Sequence, residues 1–239
     1  MGFLGAVFGV AVLSGATASL VGFGIGSMLT PLLALQIGTD VAVAAVALPH
    51  AIATAIRCWR LRASIDRGVL KRFGLLSAFG GLAGALAYTQ LEADALTRVL
   101  GALLVLTAIA QLSGLTARWR QRGISVGLLG FGSGFFGGIA GNQGGLRAAA
   151  LTAFGLSPLA FVATSTATGL LVDAARAPVY LFTAGGTLMT LWLPISVATA
   201  GVVAGTLLGE RILLGMPRDR FALLVAGGVG LLGVWLLFQ

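Results

Sequence analysis

The sequence predicts an all-α polytopic membrane protein with two inverted-topology repeats, each a glycine-broken helical hairpin followed by three transmembrane helices. The composition is the first observation: mean hydropathy is +1.02 and 9% of the 239 residues are charged, whereas soluble domains carry about 25% charged residues. The second is that the basic residues cluster in short linkers. The third is a glycine-rich string that recurs once in each half. A water-soluble fold of this composition would expose large apolar patches.

The two predicted hairpins occupy apolar regions that glycines interrupt. Phe3–Ile37 and Ile124–Leu156 are each too long for one membrane crossing of about 20 residues and short for two. Sliding one region onto the other places Gly24 on Gly141. The same shift of 117 residues matches Gly38 with Gly155, and a second shift of 121 residues matches Gly80 with Gly201 and Gly84 with Gly205.

Six other apolar segments are long enough to span, which brings the total to about eight hydrophobic segments. They are Val41–Ile56, Phe73–Gln90, Ala95–Leu115, Pro158–Phe182, Leu188–Leu208 and Phe221–Phe238. We expect an uncharged turn over Thr183–Thr187. The chain is therefore predicted to consist of a first transmembrane repeat (residues 1–115), a cytoplasmic linker (116–123) and a second transmembrane repeat (124–239).

Charge predicts the orientation in the cell (inner) membrane. The basic linkers at residues 57–72, 116–123 and 210–220 are expected on the cytoplasmic side. The first hairpin then enters and leaves from outside and the second from the cytoplasm, so the two halves are inverted. The net charge of +8 predicts no nucleic-acid partner, because no basic helix or aromatic platform accompanies it.

Broken helices at matching places in inverted halves are typical of secondary transporters. Amides at the start of each second arm lack helical partners and favour an anion. The alternative is that the glycines only allow tight helix crossing. The predicted substrate contacts in the hairpins are Gly22, Gly24, Gly26, Ser27 and Thr30, and Gly141, Asn142, Gln143, Gly144 and Gly145.

Arg147 is the strongest single indication of a binding site. Its position in the second arm predicts a place near the bilayer midplane, where an arginine costs about 2.5 kcal/mol or more. We expect it to contact an anion beside Asn142 and Gln143. The alternative is a structural pair with Asp173 or with helix-end carbonyls.

Other polar residues are candidates on weaker grounds. His50, the only histidine, is a candidate anion or proton contact, or else a buried histidine bonded to a carbonyl. Thr164 and Thr166 are candidates for lining the cavity, although such hydroxyls often bond back to their own helix. Asp173 and Arg176 have the i, i+3 spacing of an ion pair, and Asp173 is also a possible coupling site.

No enzyme activity, metal site or cofactor is predicted. Gly132-Ser133-Gly134 departs from an intramembrane serine-protease string, because Phe131 occupies its first position. Cys58 is the only cysteine, so it predicts no intrachain disulfide and no thiolate metal site.

The chain resembles the TauE/SafE family of sulfite and organosulfonate exporters over almost its whole length. The resemblance rests on the doubled hairpins and on two strings, Gly22-x-Gly24-x-Gly26…Pro31 and Gly141-x-x-Gly144-Gly145. It implies a secondary transporter that exports small anions such as sulfite, organosulfonates or related carboxylates, by alternating access at a site between the hairpins. Its partners would be that anion and the lipid bilayer, and a homodimer is left open. The alternatives are an anion channel and a non-transporting membrane scaffold.

Overall fold

The computed structural model describes residues 2–113, 126–141, 144–151, 154–212, 227, 230–231 and 233–238. Its main helices are α1 (Gly2–Val21), α2 (Ile25–Ile37), α3 (Thr39–Leu61), α4 (Leu75–Tyr88), α5 (Ala93–Leu112), α6 (Val126–Ala140), α7 (Gly144–Leu151), α8 (Pro158–Thr190) and α9 (Trp192–Ile212). Short helical turns join α3 to α4 at Arg62–Ser64, Arg67–Val69 and Leu70–Gly74. The described residues contain no strand, and the predicted all-α class is confirmed.

Five described segments are long and apolar enough to cross a membrane. They are Gly2–Ser19, Thr39–Ser64, Arg67–Tyr88, Pro158–Thr190 and Trp192–Gly209. Large apolar side chains cover their outer faces; Phe182 is 92% exposed and Phe79 65% exposed. Such a surface requires lipid rather than water. The chain is therefore a multi-pass membrane protein, as predicted.

The two arms of the first hairpin differ in length. Its first arm, α1, has 20 residues and a length of about 30 Å, enough to cross the hydrocarbon by itself. Its second arm, α2, has 13 residues and reaches about 20 Å. The break lies late in the region because the positive φ angles fall at Gly22 (85°) and Gly24 (135°), which side chains other than glycine rarely adopt.

The predicted turn over Thr183–Thr187 is wrong. Helix α8 continues through Thr190, and the chain reverses only at Leu191. The hydroxyl of Thr183 donates to the carbonyl of Val179 at 2.9 Å, and that of Thr190 donates to Thr187 at 2.7 Å. Because backbone carbonyls of the same helix accept these hydroxyl hydrogen bonds, the threonines of this segment do not require a turn.

The backbone breaks recur at the glycines that the sequence aligns. Gly24 (φ 135°) matches Gly141 (φ 67°), and Gly38 (φ 82°) matches Gly155 (φ 62°). The first pair ends the first arm of each hairpin, and the second pair precedes the next long helix. The two halves therefore share one pattern of local structure.

The first arm of each hairpin packs against a helix of the other half. Helix α1 lies on α9, and α6 lies on α4, through glycines so close that an added Cβ would meet a backbone carbonyl. Small residues allow this approach. The glycine-to-carbonyl contacts are Gly80 with Phe131, Gly84 with Phe135, Gly201 with Phe8, and Gly205 with Val12.

Contacts across α8 give the directions of α3 and α4. Gly81 lies beside Val172, and the rings of Tyr88 and Tyr180 are 5.1 Å apart between centroids, so α4 runs parallel to α8. The Tyr88 hydroxyl donates to the carbonyl of Asp40 at 2.8 Å, which puts the end of α4 at the start of α3. Helix α3 therefore runs antiparallel to both α4 and α8.

Helix α9 runs parallel to α3. Ala45 and Ile195, near the starts of the two helices, line one cavity, and Arg57 and Thr206, nearer their ends, line another. Because α3 corresponds to α8 in the repeat, and α4 to α9, corresponding helices point in opposite directions. These directions agree with the predicted inversion.

The predicted domain boundaries stay a prediction. The linker at residues 116–123 lies outside the described residues, as does half of the predicted segment Phe221–Phe238.

Candidate functional site

The broken ends of the two hairpins approach each other beside α8. A Cβ on Gly144, the first residue of α7, would fall on the side chain of Phe23 in the first break. A Cβ on Gly22 would lie 3.6 Å from the hydroxyl oxygen of Ser165, and one on Gly141 would lie 3.5 Å from that of Thr30. The predicted hairpin residues are therefore brought together with hydroxyls of α2 and α8.

The two breaks lie at different heights along α8. Ser165 marks the first break, and Arg176, whose Nη1 would be 3.8 Å from a Cβ on Gly141, marks the second. About eleven residues of helix separate these two positions, which corresponds to about 16 Å. The candidate site is therefore a polar column along α8 rather than a single point.

Arg147 lies in α7 with 1% of its surface exposed. Its Nε donates to the hydroxyl of Ser165 at 2.9 Å, and its Nη2 donates to the carbonyl of Gly22 at 3.4 Å. Its Nη1 has no hydrogen-bond partner. Gly169 makes room for the guanidinium, because a Cβ there would lie 3.0 Å from Nη1. Arg147 does bond a helix-end carbonyl, yet it keeps one free donor.

His50, Asp173 and Arg176 form a buried cluster where α3 crosses α8. Nδ1 of His50 lies 2.6 Å from Oδ2 of Asp173. Arg176 donates to Oδ1 of Asp173 from Nε at 3.1 Å and from Nη2 at 2.8 Å. The ion pair predicted from the i, i+3 spacing is present, and the cluster also includes His50, which sequence spacing did not link to it.

At the end of each first arm, an arginine from another helix binds a backbone carbonyl. The carbonyls in the last turn of a helix lack helical partners and carry partial negative charge. Arg147 binds the carbonyl of Gly22 after α1, and Arg176 binds the carbonyl of Gly137 in the last turn of α6 at 2.6 Å. The hydroxyl of Tyr180 donates to the neighbouring Gly138 carbonyl. Both breaks are thus held by donors from outside their own hairpin.

Several hydroxyls near the breaks are buried without a partner. The Oγ1 atoms of Thr30, Thr166 and Thr168 have none, and all three residues are fully buried. Burying such a group unpaired costs free energy. Thr164 differs, because its hydroxyl accepts from the backbone amide of Asp66 at 3.0 Å and so ties the α3–α4 connection to α8.

The remaining predicted glycines are used mainly for close packing. A Cβ on Gly24 would lie 3.0 Å from Cγ2 of Thr17, and one on Gly145 would lie 2.5 Å from Cγ2 of Thr107. Gly26 and Ser27 are buried in the first turn of α2, where the cap residue Gly24 offers no side-chain acceptor. Two further predicted contacts lie outside the described residues: Asn142 and Gln143.

Sequence reasoning missed Arg57, which it assigned to a cytoplasmic linker. That assignment is wrong: α3 continues to Leu61, and Arg57 is 4% exposed. Its Nη2 donates to the hydroxyl of Thr54 at 3.5 Å, and that hydroxyl is 3.4 Å from Nδ1 of His50. Its Nε and Nη1 have no partner. The sequence contained one signal for this position: Arg57 follows His50 by about two helical turns, which places both residues on one face of α3.

The buried charges do not balance among the described residues. Asp173 pairs with Arg176 and His50, whereas Arg57 and Arg147 have no carboxylate partner in the part of the chain that the structure describes. Buried cations without a counter-charge are costly. The column along α8 is therefore electropositive and suited to an anion.

Inverted halves with broken helices that meet beside buried arginines define a class, the polytopic membrane proteins of transporter architecture. The chain belongs to the TauE/SafE sulfite exporter family, because the family model "Sulfite exporter TauE/SafE" matches residues 7–236. This match confirms the resemblance found in the sequence and implies a membrane transporter of a small anion. Neither a comparison with curated proteins nor one with solved structures found a match.

Proposed function

We propose that the protein is a secondary transporter that exports small anions such as sulfite, organosulfonates or related carboxylates by alternating access. One observation carries the proposal: Arg147 is buried where the hairpins meet, has no carboxylate partner among the described residues, and keeps Nη1 free. A guanidinium supplies both the charge and the directed donors that an oxyanion requires.

The anion would bind between the two breaks. The free Nη1 of Arg147 supplies the charge, and the unpartnered hydroxyls of Thr166 and Thr168 supply further donors. The first-turn amides of α2 (Ile25–Ile37) have no helical partner and favour negative charge. Asn142 and Gln143 remain proposed contacts. These donors suit the oxygens of sulfite and of sulfonates. They would donate fewer hydrogen bonds to a carboxylate, which has only two oxygens.

Alternating access would use two tightly packed bodies. Helix α1 is interlocked with α9, and α4 with α6, through glycines, so each pair would move as a unit. The His50–Asp173 contact between α3 and α8 lies between these bodies. Rocking of one body against the other would open the polar column to each side in turn.

Proton coupling through His50 and Asp173 extends the proposal. An imidazole changes charge within the physiological pH range, and Nδ1 of His50 faces Oδ2 of Asp173 at 2.6 Å. A proton held between them would change the charge of the column with each transport cycle.

Flux of radiolabelled sulfite into proteoliposomes tests the function. We expect Arg147→Ala to lower flux about tenfold or more, because a buried charged hydrogen bond contributes about 1.5–3 kcal/mol. The matched control is Arg62→Ala, since Arg62 is exposed and its contacts are with the carbonyl and the ring of the neighbouring exposed Trp59. Undiminished flux in folded Arg147→Ala protein would remove this residue from the site. Large single-channel currents without saturation or counterflow would contradict a carrier.

A further inference from the structure

A second set of unsatisfied donors lies beside the last turn of α1, between the C-terminal parts of α1, α3 and α9. These donors line a cavity of about 20 Å³ that is partly open to the surface. A cavity of this size holds about one water molecule or a group of similar size. Its lining residues are Ser19, Arg57, Arg60, Leu61 and Thr206.

The cavity presents more donors than its own residues satisfy. Arg57 is 4% exposed, and its Nε and Nη1 have no partner. Thr206 is also 4% exposed, and its Oγ1 has no partner. Arg60 adds a second guanidinium side chain at the exposed rim. Buried donors in this number normally have a partner, and none of the described residues that line the cavity carries a carboxylate.

Charge favours an anion over a water molecule as that partner. Water would satisfy the hydrogen bonds of Arg57 but would leave its buried charge uncompensated, which is the costly part of burying a cation. An anion provides both the acceptor and the counter-charge. The small volume admits about one oxygen atom of an oxyanion or of a sulfonate group, and the rest of the ion would lie in the opening.

We propose that this cavity is a second anion-binding site, in which Arg57, Arg60 and Thr206 hold a small oxyanion or the sulfonate end of a larger one. It shares no lining residue with the site at Arg147, and its existence does not require that the protein transports anything.

The cavity is connected to the polar column by contact. Arg57 donates to the hydroxyl of Thr54 at 3.5 Å, and that hydroxyl lies 3.4 Å from Nδ1 of His50. The cavity lies at the end of α3 that precedes the basic linker, so an anion held there would occupy a waiting position on the predicted cytoplasmic side of the column.

Thiol labelling tests the site without measuring transport. In a Cys58→Ser background, Ser19→Cys puts a thiol on the half-buried wall of the cavity. The probes are two methanethiosulfonate reagents, one with a sulfonate and one with a trimethylammonium group. Relative to Ser113→Cys, an exposed reference position, we expect about a tenfold preference for the sulfonate reagent, equivalent to one charged hydrogen bond. Ethanesulfonate should slow the labelling.

The variants distinguish this site from the one at Arg147. Arg57→Gln should abolish the preference for the sulfonate reagent, whereas Arg147→Gln and the exposed control Arg62→Gln should keep it. Equal rates with the two reagents, or a preference that survives Arg57→Gln, would overturn the proposal. If Arg57→Gln fails to fold, Thr206→Val should still weaken protection by ethanesulfonate, and unchanged protection would count against the site. A loss of sulfite flux in Arg147→Ala alone bears on the proposed function and not on this cavity.

Discussion

Nδ1 of His50 in the first half lies 2.6 Å from Oδ2 of Asp173 in the second half. Both residues are buried, at 6% and 1% exposure, and the contact lies where antiparallel α3 and α8 cross. A titratable pair at this crossing joins the two halves near the second break of the polar column. Its protonation would therefore affect both halves together.

His50→Gln tests whether this pair couples transport to protons. Glutamine keeps a hydrogen bond to Asp173 but cannot carry a proton at physiological pH. We expect sulfite flux driven by a pH gradient to be lost, whereas exchange of sulfite across the membrane without a gradient is retained. Stimulation by the gradient that equals that of the wild type would exclude His50 as the coupling residue.

Asp173→Asn tests the structural part of the same cluster. The substitution leaves the buried guanidinium of Arg176 without its carboxylate, and we expect the unfolding free energy to fall by about 3–5 kcal/mol. Chemical denaturation in detergent measures this change. The exposed Glu92→Gln serves as the control. Adding Arg176→Gln should restore part of the loss, because the two residues are coupled; strictly additive losses would contradict a coupled pair.

Gly205→Ala tests the interlock between α1 and α9. A Cβ at Gly205 would meet the backbone carbonyl of Val12, and overpacking of this kind costs about 1–3 kcal/mol. We expect a lower melting temperature in detergent. Gly9→Ala in α1 is the matched control, because nothing lies within 4 Å of a Cβ there. Equal melting temperatures for the two variants would show that the close contact between α1 and α9 does not contribute to stability.

Gly169→Ala tests whether the free donor of Arg147 contacts the anion. The added methyl would lie 3.0 Å from Nη1 of Arg147 and would push the guanidinium aside without removing its charge. We expect a higher Michaelis constant for sulfite, by about tenfold if one charged hydrogen bond is lost. Gly186→Ala, in the same helix and with open space around it, should leave the constant unchanged. Equal constants for the two variants would place the anion elsewhere.

The hairpin breaks could be predicted from sequence because they depend on local conformation. Gly24 and Gly141 adopt positive φ angles that few other residues tolerate, so a recurring glycine string predicts a recurring break. The class of protein could be predicted for a similar reason, since composition and charge patterning determine whether the chain requires lipid.

The burial of Arg57 and the pairing of His50 with Asp173 depend on neighbours that are distant in the chain. A basic residue near a helix end predicts snorkelling towards the cytoplasm, and only the packing of α1 and α9 beside α3 encloses Arg57. His50 and Asp173 meet because α3 and α8 run antiparallel across the boundary between the halves, and no spacing along the chain encodes that contact.

The exchange of first arms between the halves has a consequence for biogenesis. Helix α1 leaves the ribosome long before α9, and α4 leaves it before α6, so each glycine-to-carbonyl contact forms only after its second helix is made. During synthesis, the small-residue faces of the early helices therefore face lipid. Maturation would therefore be a late rearrangement of inserted helices, and the two halves would have to be produced together to obtain a native molecule.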